Sequence, residues 1–526
     1  MKRRTLIAGV SAAVAAPRFA GAQRSRVLRF IPQNDLNILD PVFTTVYATR
    51  THGLMVFDTL YGTDGSFRAS PQMVEGHVVE NDGLTWRLTL RDGLRWHDGE
   101  RVLARDCVAS IRRWAQRDPF GQALMAATAE LIAGDDRTIA FRLNRRFPLL
   151  PDALGKLPTL LPVMMPERLA RTDAFTQVTE MVGSGPFKFL ANERISGARN
   201  AYARNEDYIP RSGGRPEWTA GPKVVHLDRV EWTTINDPAT CAAAMQSGEQ
   251  DWWEYVANDL VPVLRRARNV RVEMQESTGI LNVFRLNHVQ PPFNNPAIRR
   301  ALLGAMKQED FVIPVAGSDP SMWRVPTGFF TPNTPMANDA GMEVLTGPRD
   351  YDKVKRDLAA AGYRGEKVVM LIATDPAFVK SLGDVGADML RKAGMNVDAQ
   401  YMDFGTYLNR RASKEPVERG GWSAAMTALS GLDMATPAVQ AILRANGPNA
   451  MFGWPELPRL EALRDEWFAA EDLAAQQRIA RQIQLQAFEE VPYIPAGQFF
   501  QVTAYNRRIR DVVPGYSVFW NLQKDG

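Results

Sequence analysis

The side chains that most often do chemistry are few and scattered in this sequence. Its five histidines are His52, His77, His97, His226 and His288, and no two stand at the spacing that a shared metal ion requires. The chain has no H-E-x-x-H motif, no G-x-S-x-G nucleophile elbow and no P-loop. Gly183-Ser184-Gly185 imitates a phosphate loop, but Pro186 follows it and removes an N–H donor, and no Lys-Ser or Lys-Thr pair comes after. The adjacent carboxylates Glu489-Glu490 sit beside helix-end signals and read as a solvated face. Cys107 and Cys241 are too few for a disulfide framework. They read as two small buried hydrophobes, with a single bridge between them left open. Nothing in this inventory argues for catalysis, a metal or a cofactor. A binding protein explains it better than an enzyme does.

The elements that must position any site come in two styles. Residues 60–100 are punctuated by Asp64-Gly65, Asp82-Gly83, Asp92-Gly93 and Asp98-Gly99, dipeptides suited to tight hairpin turns. Between two of them, Trp86, Leu88 and Leu90 alternate with Thr85, Arg87 and Thr89, which predicts a half-buried antiparallel strand in a small meander. A helix is expected from about Ala104 to Trp114. Further on, Asp352–Ala361 reads as a helix closed by Gly362, Lys367–Ala373 as a strand, Asp384–Ala393 as a helix closed by Gly394, and Asn396–Tyr401 as a strand. Strand, helix and strand in about 35 residues make a βαβ unit, and hence α/β architecture with parallel strands. Leu460, Leu463 and Trp467, then Ile479, Ile483 and Ala487, recur at helical spacing and read as core.

The chain has 526 residues, 45% hydrophobic and 23% charged, which is ordinary globular composition for roughly three or four folding units. Its formal charge of +4 comes from 63 basic and 59 acidic residues. Lys2, Arg3 and Arg4 precede an apolar run from Leu6 to Ala16, and Ala20-Gly21-Ala22 offers a small-residue cut before Gln23. This is the layout of a secretory signal peptide over residues 1–22, too short to span a bilayer, which takes about 20 apolar residues. Arg3-Arg4-Thr5-Leu6-Ile7 resembles a twin-arginine signal and equally fits an ordinary Sec signal. No cysteine near the cut offers a lipoprotein anchor. The leader holds four basic residues and no acidic one, so the mature chain keeps 59 of each sign and is formally neutral. Nucleic-acid binding thereby loses its electrostatic support.

Several segments in order carry a family resemblance. They are Leu39-Asp40-Pro41, Phe57-Asp58-Thr59-Leu60, the run from Trp86 through Arg91-Asp92-Gly93 to Trp96-His97-Asp98-Gly99, and Ala104-Arg105-Asp106. Gly183-Ser184-Gly185-Pro186-Phe187, Asn205-Glu206-Asp207-Tyr208 and Phe293-Asn294-Asn295-Pro296-Ala297-Ile298-Arg299-Arg300-Ala301 follow. Together they resemble the family 5 extracellular solute-binding proteins of ABC importers, the peptide/nickel-binding group. The resemblance implies an α/β fold like that of type II periplasmic-binding proteins: two main lobes joined by a hinge, plus a smaller third domain. Domain I would comprise residues 23–57, 183–279 and 498–526, domain II residues 58–182, and domain III residues 280–497. The hinge would cross near Gly279–Leu286 and near Pro492–Gln498. The implied function is periplasmic capture of a peptide or peptide-like solute between domains I and III. A monomer would then deliver the solute to a permease that works with separate ATPase subunits. A non-peptide solute (an opine, amino-acid conjugate, sugar or metal chelate) is the alternative within the family; a secreted hydrolase is the disfavoured alternative outside it.

The resemblance also nominates site residues. Peptide binders of the family carry Trp-x-x-Asp, whose carboxylate pairs with a peptide's α-amino group; here Trp422-Ser423-Ala424-Ala425 puts alanine at the acid position. Asp433 offers a replacement carboxylate or caps the helix after it. Trp422 is expected as a wall of the site, with Ser423 beside it. Arg410, or its neighbour Arg411, could clamp a carboxylate. Thr45 and Tyr47 correspond to a cleft loop of domain I, Phe120 and Gln122 to the facing edge of domain II, and Phe452 and Trp454 to aromatic lining.

Overall fold

The computed structural model describes residues 26–525; the leader assigned to residues 1–22 lies outside the described residues. Among the described residues the backbone forms two large sheets, a four-stranded one and three two-stranded pairs. The first has seven strands in the order Phe187–Phe189, Arg199–Arg204, Arg229–Thr233, Val27–Ile31, Trp252–Trp253, Thr503–Asn506 and Val270–Glu273. Val27–Ile31 runs parallel to both of its neighbours. The second has six strands in the order Trp323–Arg324, Tyr493–Phe499, Ile280–Leu286, Ala424–Ser430, Lys367–Ala373 and Asn396–Met402. Strands with distant sequence positions lie side by side in both sheets, so chain order is a poor guide to neighbourhood.

The expected βαβ unit is present: Lys367–Ala373 and Asn396–Met402 pair in parallel register. Its helix is Ala377–Lys392, longer at the start than the expected Asp384–Ala393. Gly383 lies inside it because the helix rides close on the sheet, where an added Cβ would stand 2.7 Å from Ile372 Cγ2. The glycine is a packing device.

The strand Thr85–Leu90 buries Trp86, Leu88 and Leu90, and Asp82 and Gly83 hold the positive φ of the turn before it. The sheet it belongs to is not a consecutive meander within residues 60–100. Its order is Val74–Glu80, Thr85–Leu90, Thr138–Leu143, Thr128–Ala133, and two helices, Ala104–Arg117 and Pro119–Ala126, intervene in the chain. The first helix closes the apolar face of this sheet with Cys107, Val108, Ile111 and Trp114. Cys107 and Cys241 are buried free thiols.

The chain passes between the two large sheets over 274–279 and again over 500–502, joining Val270–Glu273 to Ile280–Leu286 and Tyr493–Phe499 to Thr503–Asn506. The segments expected as crossings, 279–286 and 492–498, are for the most part strands of the six-stranded sheet itself, and the crossings sit at their ends. Gly279 marks one of them. Its φ is 59°, and a Cβ there would come 2.6 Å from the Phe499 carbonyl oxygen, so a larger residue would force the two strands apart.

Candidate functional site

Val27–Ile31 and Trp252–Trp253 are parallel neighbours, and the segments leaving their carboxyl ends carry Gln33 and Glu254. The crevice at the carboxyl ends of parallel strands is where α/β sheets favour ligands. The Gln33 backbone N–H donates to Glu254 Oε2 at 2.7 Å. Glu276 lies in the first crossing segment, and its Oε1 accepts from both the backbone N–H and the hydroxyl of Thr278 at 2.5 Å. On the six-stranded side, Asp433 follows the strand Ala424–Ser430 and accepts from the Tyr47 hydroxyl at 2.9 Å. The same Tyr47 oxygen accepts from the Ser430 backbone N–H at 2.9 Å, so one phenol ties the two lobes together.

Arg50 stands at the centre. It lies three residues after Tyr47 on one helix, Tyr47–Val56, and therefore on the same face. Its guanidinium carbon sits 3.5 Å over the Tyr516 ring and 4.8 Å from the Tyr47 ring centroid. Only 4% of Arg50 and 5% of Glu254 is exposed, and Glu276 and Asp433 are half-buried. Arg50 is the cation that pulls on all three carboxyls. Burial outweighs it in each case and pushes Glu254, Glu276 and Asp433 above the ordinary carboxylate range. The hydrogen-bond partners named for these carboxylates are uncharged, and the Arg50 Nε–H has no acceptor among the described residues. A void of ≈ 10 Å³, about the room of one water, opens beside Glu254, Tyr255, Glu276 and Ser517.

A larger concavity of ≈ 680 Å³ lies on the outside of the smaller sheet's lobe. Its arginines are already engaged: Arg105 and Arg171 with Glu167, Arg112 with the Leu131 carbonyl, Arg113 with Asp40. Among the described residues no group of three or more His, Cys, Asp or Glu side chains could hold a metal ion, and no helix is long and apolar enough to cross a membrane.

Of the residues nominated from sequence, Tyr47 and Asp433 meet in this cluster, and Thr45 lies exposed two residues before Tyr47. Asp433 does not cap a following helix; the turn at 431–434 is capped by the Ser430 hydroxyl, which accepts from the Leu432 N–H. The others lie elsewhere. Phe120 is buried against Phe147 and Phe468, where the smaller lobe meets the six-stranded one, and Gln122 nearby is exposed and accepts from Arg444 at 3.4 Å. Trp422 has no exposed face: it packs with Trp454 and Tyr407 in a compact apolar cluster, and its indole N–H donates to the Arg411 carbonyl at 3.1 Å. As a wall open to the cleft it is corrected to core. Ser423 is fully buried and stitches two strands, its hydroxyl accepting from the Val369 N–H at 3.1 Å. Phe452 is half-buried at the edge of that cluster. Arg410 donates to the Gly420 carbonyl at 3.0 Å, whereas Arg411 lies 5.1 Å from the ring centroids of both Tyr407 and Phe452 and donates to Thr427 Oγ1 at 3.0 Å.

Sequence reasoning missed Arg50, Glu254, Tyr255, Glu276 and Tyr516. Arg50 carried a readable signal, one helical turn after a nominated tyrosine. The others are assembled by long-range pairing and carried none beyond their charge and aromaticity.

A model of the bacterial extracellular solute-binding proteins, family 5, matches residues 68–443. A probable peptide ABC transporter periplasmic-binding protein of Sinorhizobium fredii, y4tO, is 36% identical over 98% of this chain and 97% of its own. The glutathione-binding protein GsiB of Pectobacterium atrosepticum is 25% identical over 81% of this chain and 79% of its own. Among solved structures, the periplasmic-binding protein AgaA of A. tumefaciens R10 in complex with agropinic acid superposes with a TM-score of 0.78 at 20% identity, covering 95% of this chain and 99% of its own. DppA of Helicobacter pylori in complex with the peptide STSA gives 0.77 at 20% identity, covering 95% and 98%. These last two likenesses concern the fold.

Proposed function

Because the chain belongs to the family 5 bacterial extracellular solute-binding proteins, which are substrate-binding components of ABC importers and not enzymes, we propose that its inter-lobe cluster encloses a peptide or peptide-like organic solute. The observation that carries this is the meeting of Arg50, Glu254, Glu276 and Asp433 at the lobe boundary, polar groups contributed by both lobes and by the crossing between them, with the buried Arg50 Nε–H left without an acceptor among the described residues. An unmet buried polar group costs about 1–3 kcal/mol, which a solute group in reach of it would recover.

In this reading residues 23–57, 183–279 and 498–526 form the first lobe, 58–182 the smaller insertion and 280–497 the third lobe. The crossings at 274–279 and 500–502 are the hinge. Two short connections allow rigid-body closure without disturbing either core. Residues 1–22 direct export to the periplasm, where a monomer delivers the solute to permease subunits coupled to separate ATPase subunits.

The sequence likeness to a probable peptide transporter component supports a peptide. One observation favours a second reading, a non-peptide solute such as an opine. Ala425 is fully buried in the apolar cluster around Trp422, so the usual acid for a peptide amine is missing there. Differential scanning fluorimetry against peptides, opines, amino-acid conjugates, sugars and metal chelates tests the function. One class should raise the melting temperature saturably, by the equivalent of about 2.7 kcal/mol at a hundred times Kd. No rise with any class would overturn the proposal.

A further inference from the structure

We propose that the mature protein docks on membranes bearing anionic phospholipid, through a patch of arginines on the first lobe made of Arg265, Arg266, Arg268, Arg507 and Arg508. The inference goes beyond solute capture and holds or fails independently of what the cleft encloses.

The pattern R-R-x-R occurs twice in the chain, as Arg265-Arg266-Ala267-Arg268 and as Arg507-Arg508-Ile509-Arg510, with no acid inside either run. The fold sets the two side by side. Val270–Glu273 pairs antiparallel with Thr503–Asn506, Val270 against Asn506, and the Arg507 N–H donates to the Asn269 carbonyl at 2.9 Å. The first run closes the helix Val261–Arg266 and leads into one strand; the second leaves the other strand at its end. Val270–Glu273 is the last strand of its sheet, so the patch lies at a sheet edge. All five arginines are exposed.

What sets these five apart is missing counter-charge. Among the described residues none of them makes an ion pair, a side-chain hydrogen bond or a ring contact, whereas Arg271 beside them meets Glu273 at 2.8 Å and the Tyr505 ring at 4.5 Å. The acids close by in the chain are taken: Glu273 by Arg271, Asp525 by Arg510 at 2.6 Å, and Asp511 accepts from Gln523. Arg265 acts on Asp319 without an ion pair. The other arginines in the same condition among the described residues, Arg145, Arg199, Arg356, Arg391 and Arg478, come singly from five separate stretches. Arg265 and Arg266 sit in the last turn of a helix, where the dipole favours a cation, but that accounts for neither Arg268 nor the second run. Crowded like charges repel one another, and a facing array of anions reverses the sign of that energy. The guanidinium fork matches phosphate oxygens in pairs. A protein partner would need an apolar centre to pack on. None of the large exposed apolar side chains lies in either run, and Met274, beyond the far end of the strand, is the closest of them in sequence. A phospholipid surface presents phosphates in the plane and asks for no such centre.

The test is co-sedimentation of the mature protein with vesicles of phosphatidylcholine alone or mixed with phosphatidylglycerol. Binding to the anionic vesicles should exceed binding to the neutral ones ten-fold or more and fall steeply as salt screens the surface. Each arginine near an anionic surface strengthens binding about five-fold. Arg265→Gln, Arg266→Gln and Arg268→Gln combined, and separately Arg507→Gln with Arg508→Gln, should therefore each weaken it ten-fold or more. Arg356→Gln with Arg391→Gln, outside the patch, should leave it unchanged. Relief of repulsion should keep the melting temperature of both patch variants at or above that of wild type, which shows that they fold. Equal binding to neutral vesicles, no binding to anionic ones, or full binding by both patch variants would overturn the proposal. So would displacement from the vesicles by free inorganic phosphate at the same phosphate concentration, which would assign the patch to a soluble anion. An Asp/Glu-rich peptide that binds as tightly as the vesicles, charge for charge, would overturn it in favour of an acidic protein partner.

Discussion

Two sets of buried charge in this chain follow opposite rules. In the first, Asp58 is 2% exposed and meets Lys223 Nζ at 2.7 Å, with the Tyr208 hydroxyl donating to its other oxygen at 2.9 Å. Asp40 is held the same way by Arg113 at 2.7 Å and by the Val42 and Val178 N–H groups. In the second set, Glu254, Glu276 and Asp433 lie within the influence of one common guanidinium, that of Arg50, and Asp433 also of Lys156. The first set is architecture, with both oxygens of each carboxylate met inside the chain. The second is left open at the boundary between lobes. In the proposed reading, the open set is where a bound solute completes the pairing.

Breaking the finished set should cost most. Lys223→Met leaves Asp58 charged and buried with one partner gone, and a loss of about 3–5 kcal/mol is expected in chemical denaturation. Asp58→Asn in the same chain should restore part of it, because the unpaired charge is then removed. Trp422→Ala should cost a similar amount, about 3–5 kcal/mol, through the cavity left in a fully buried cluster. A small loss would mean that Trp422 has a free face after all.

Trp422 also shows where sequence reading stops. The turn at Asp82-Gly83, the alternation of Trp86, Leu88 and Leu90, and the βαβ unit at 367–402 were legible because each is a local pattern whose period or turn chemistry is written in consecutive residues. Tyr47 and Asp433 were reachable through ordered family motifs. An aromatic in a motif, however, does not declare which face it presents, and Trp422 turned inward. Glu254, Glu276 and Tyr516 belong to stretches more than 20 residues apart, or more than 200, and only the pairing of Trp252–Trp253 with Val27–Ile31 and the crossing at 274–279 bring them together. Such convergence has no signature in any one window.

The open set makes an intermediate prediction whose sign is opposite to the usual carboxylate case. Glu254, Glu276 and Asp433 have folded-state pKa values raised by burial. Their contribution to stability is therefore fully present below the ordinary carboxylate range and is lost as pH rises through the raised values. The empty triple variant Glu254→Gln, Glu276→Gln, Asp433→Asn should match wild type near pH 4 and melt higher at pH 7, by about 2 °C or more. Reading the difference between the two proteins removes the opposing effect of His52 and His97, which burial holds down to about 3 and about 4 and which destabilise either protein equally when protonated in acid. A triple variant that melts lower at pH 7 would show that the three groups are structural.

The smallest effects sharpen the contrast at the lobe boundary itself. Tyr47–Asp433 and Arg444–Gln122 both link different lobes, at 2.9 and 3.4 Å. They differ in surroundings. The tyrosine hydroxyl is shielded beside Arg50 and also receives the Ser430 N–H, so Tyr47→Phe removes a donor from a half-buried carboxylate and an acceptor from a backbone amide. Loss of about 1–3 kcal/mol from the closed arrangement is expected, seen as a wider ensemble in small-angle scattering and weaker solute binding. Gln122 is exposed, and water replaces its bond to Arg444 at once. Gln122→Ala should change stability by no more than about 0.5 kcal/mol and leave solute affinity unaltered. A double-mutant cycle gives the decisive number, because it subtracts everything but the pair. Coupling for Tyr47 with Asp433 should exceed that for Gln122 with Arg444, and equal couplings would mean that burial at the boundary, the premise of the comparison, does not govern how the lobes hold each other.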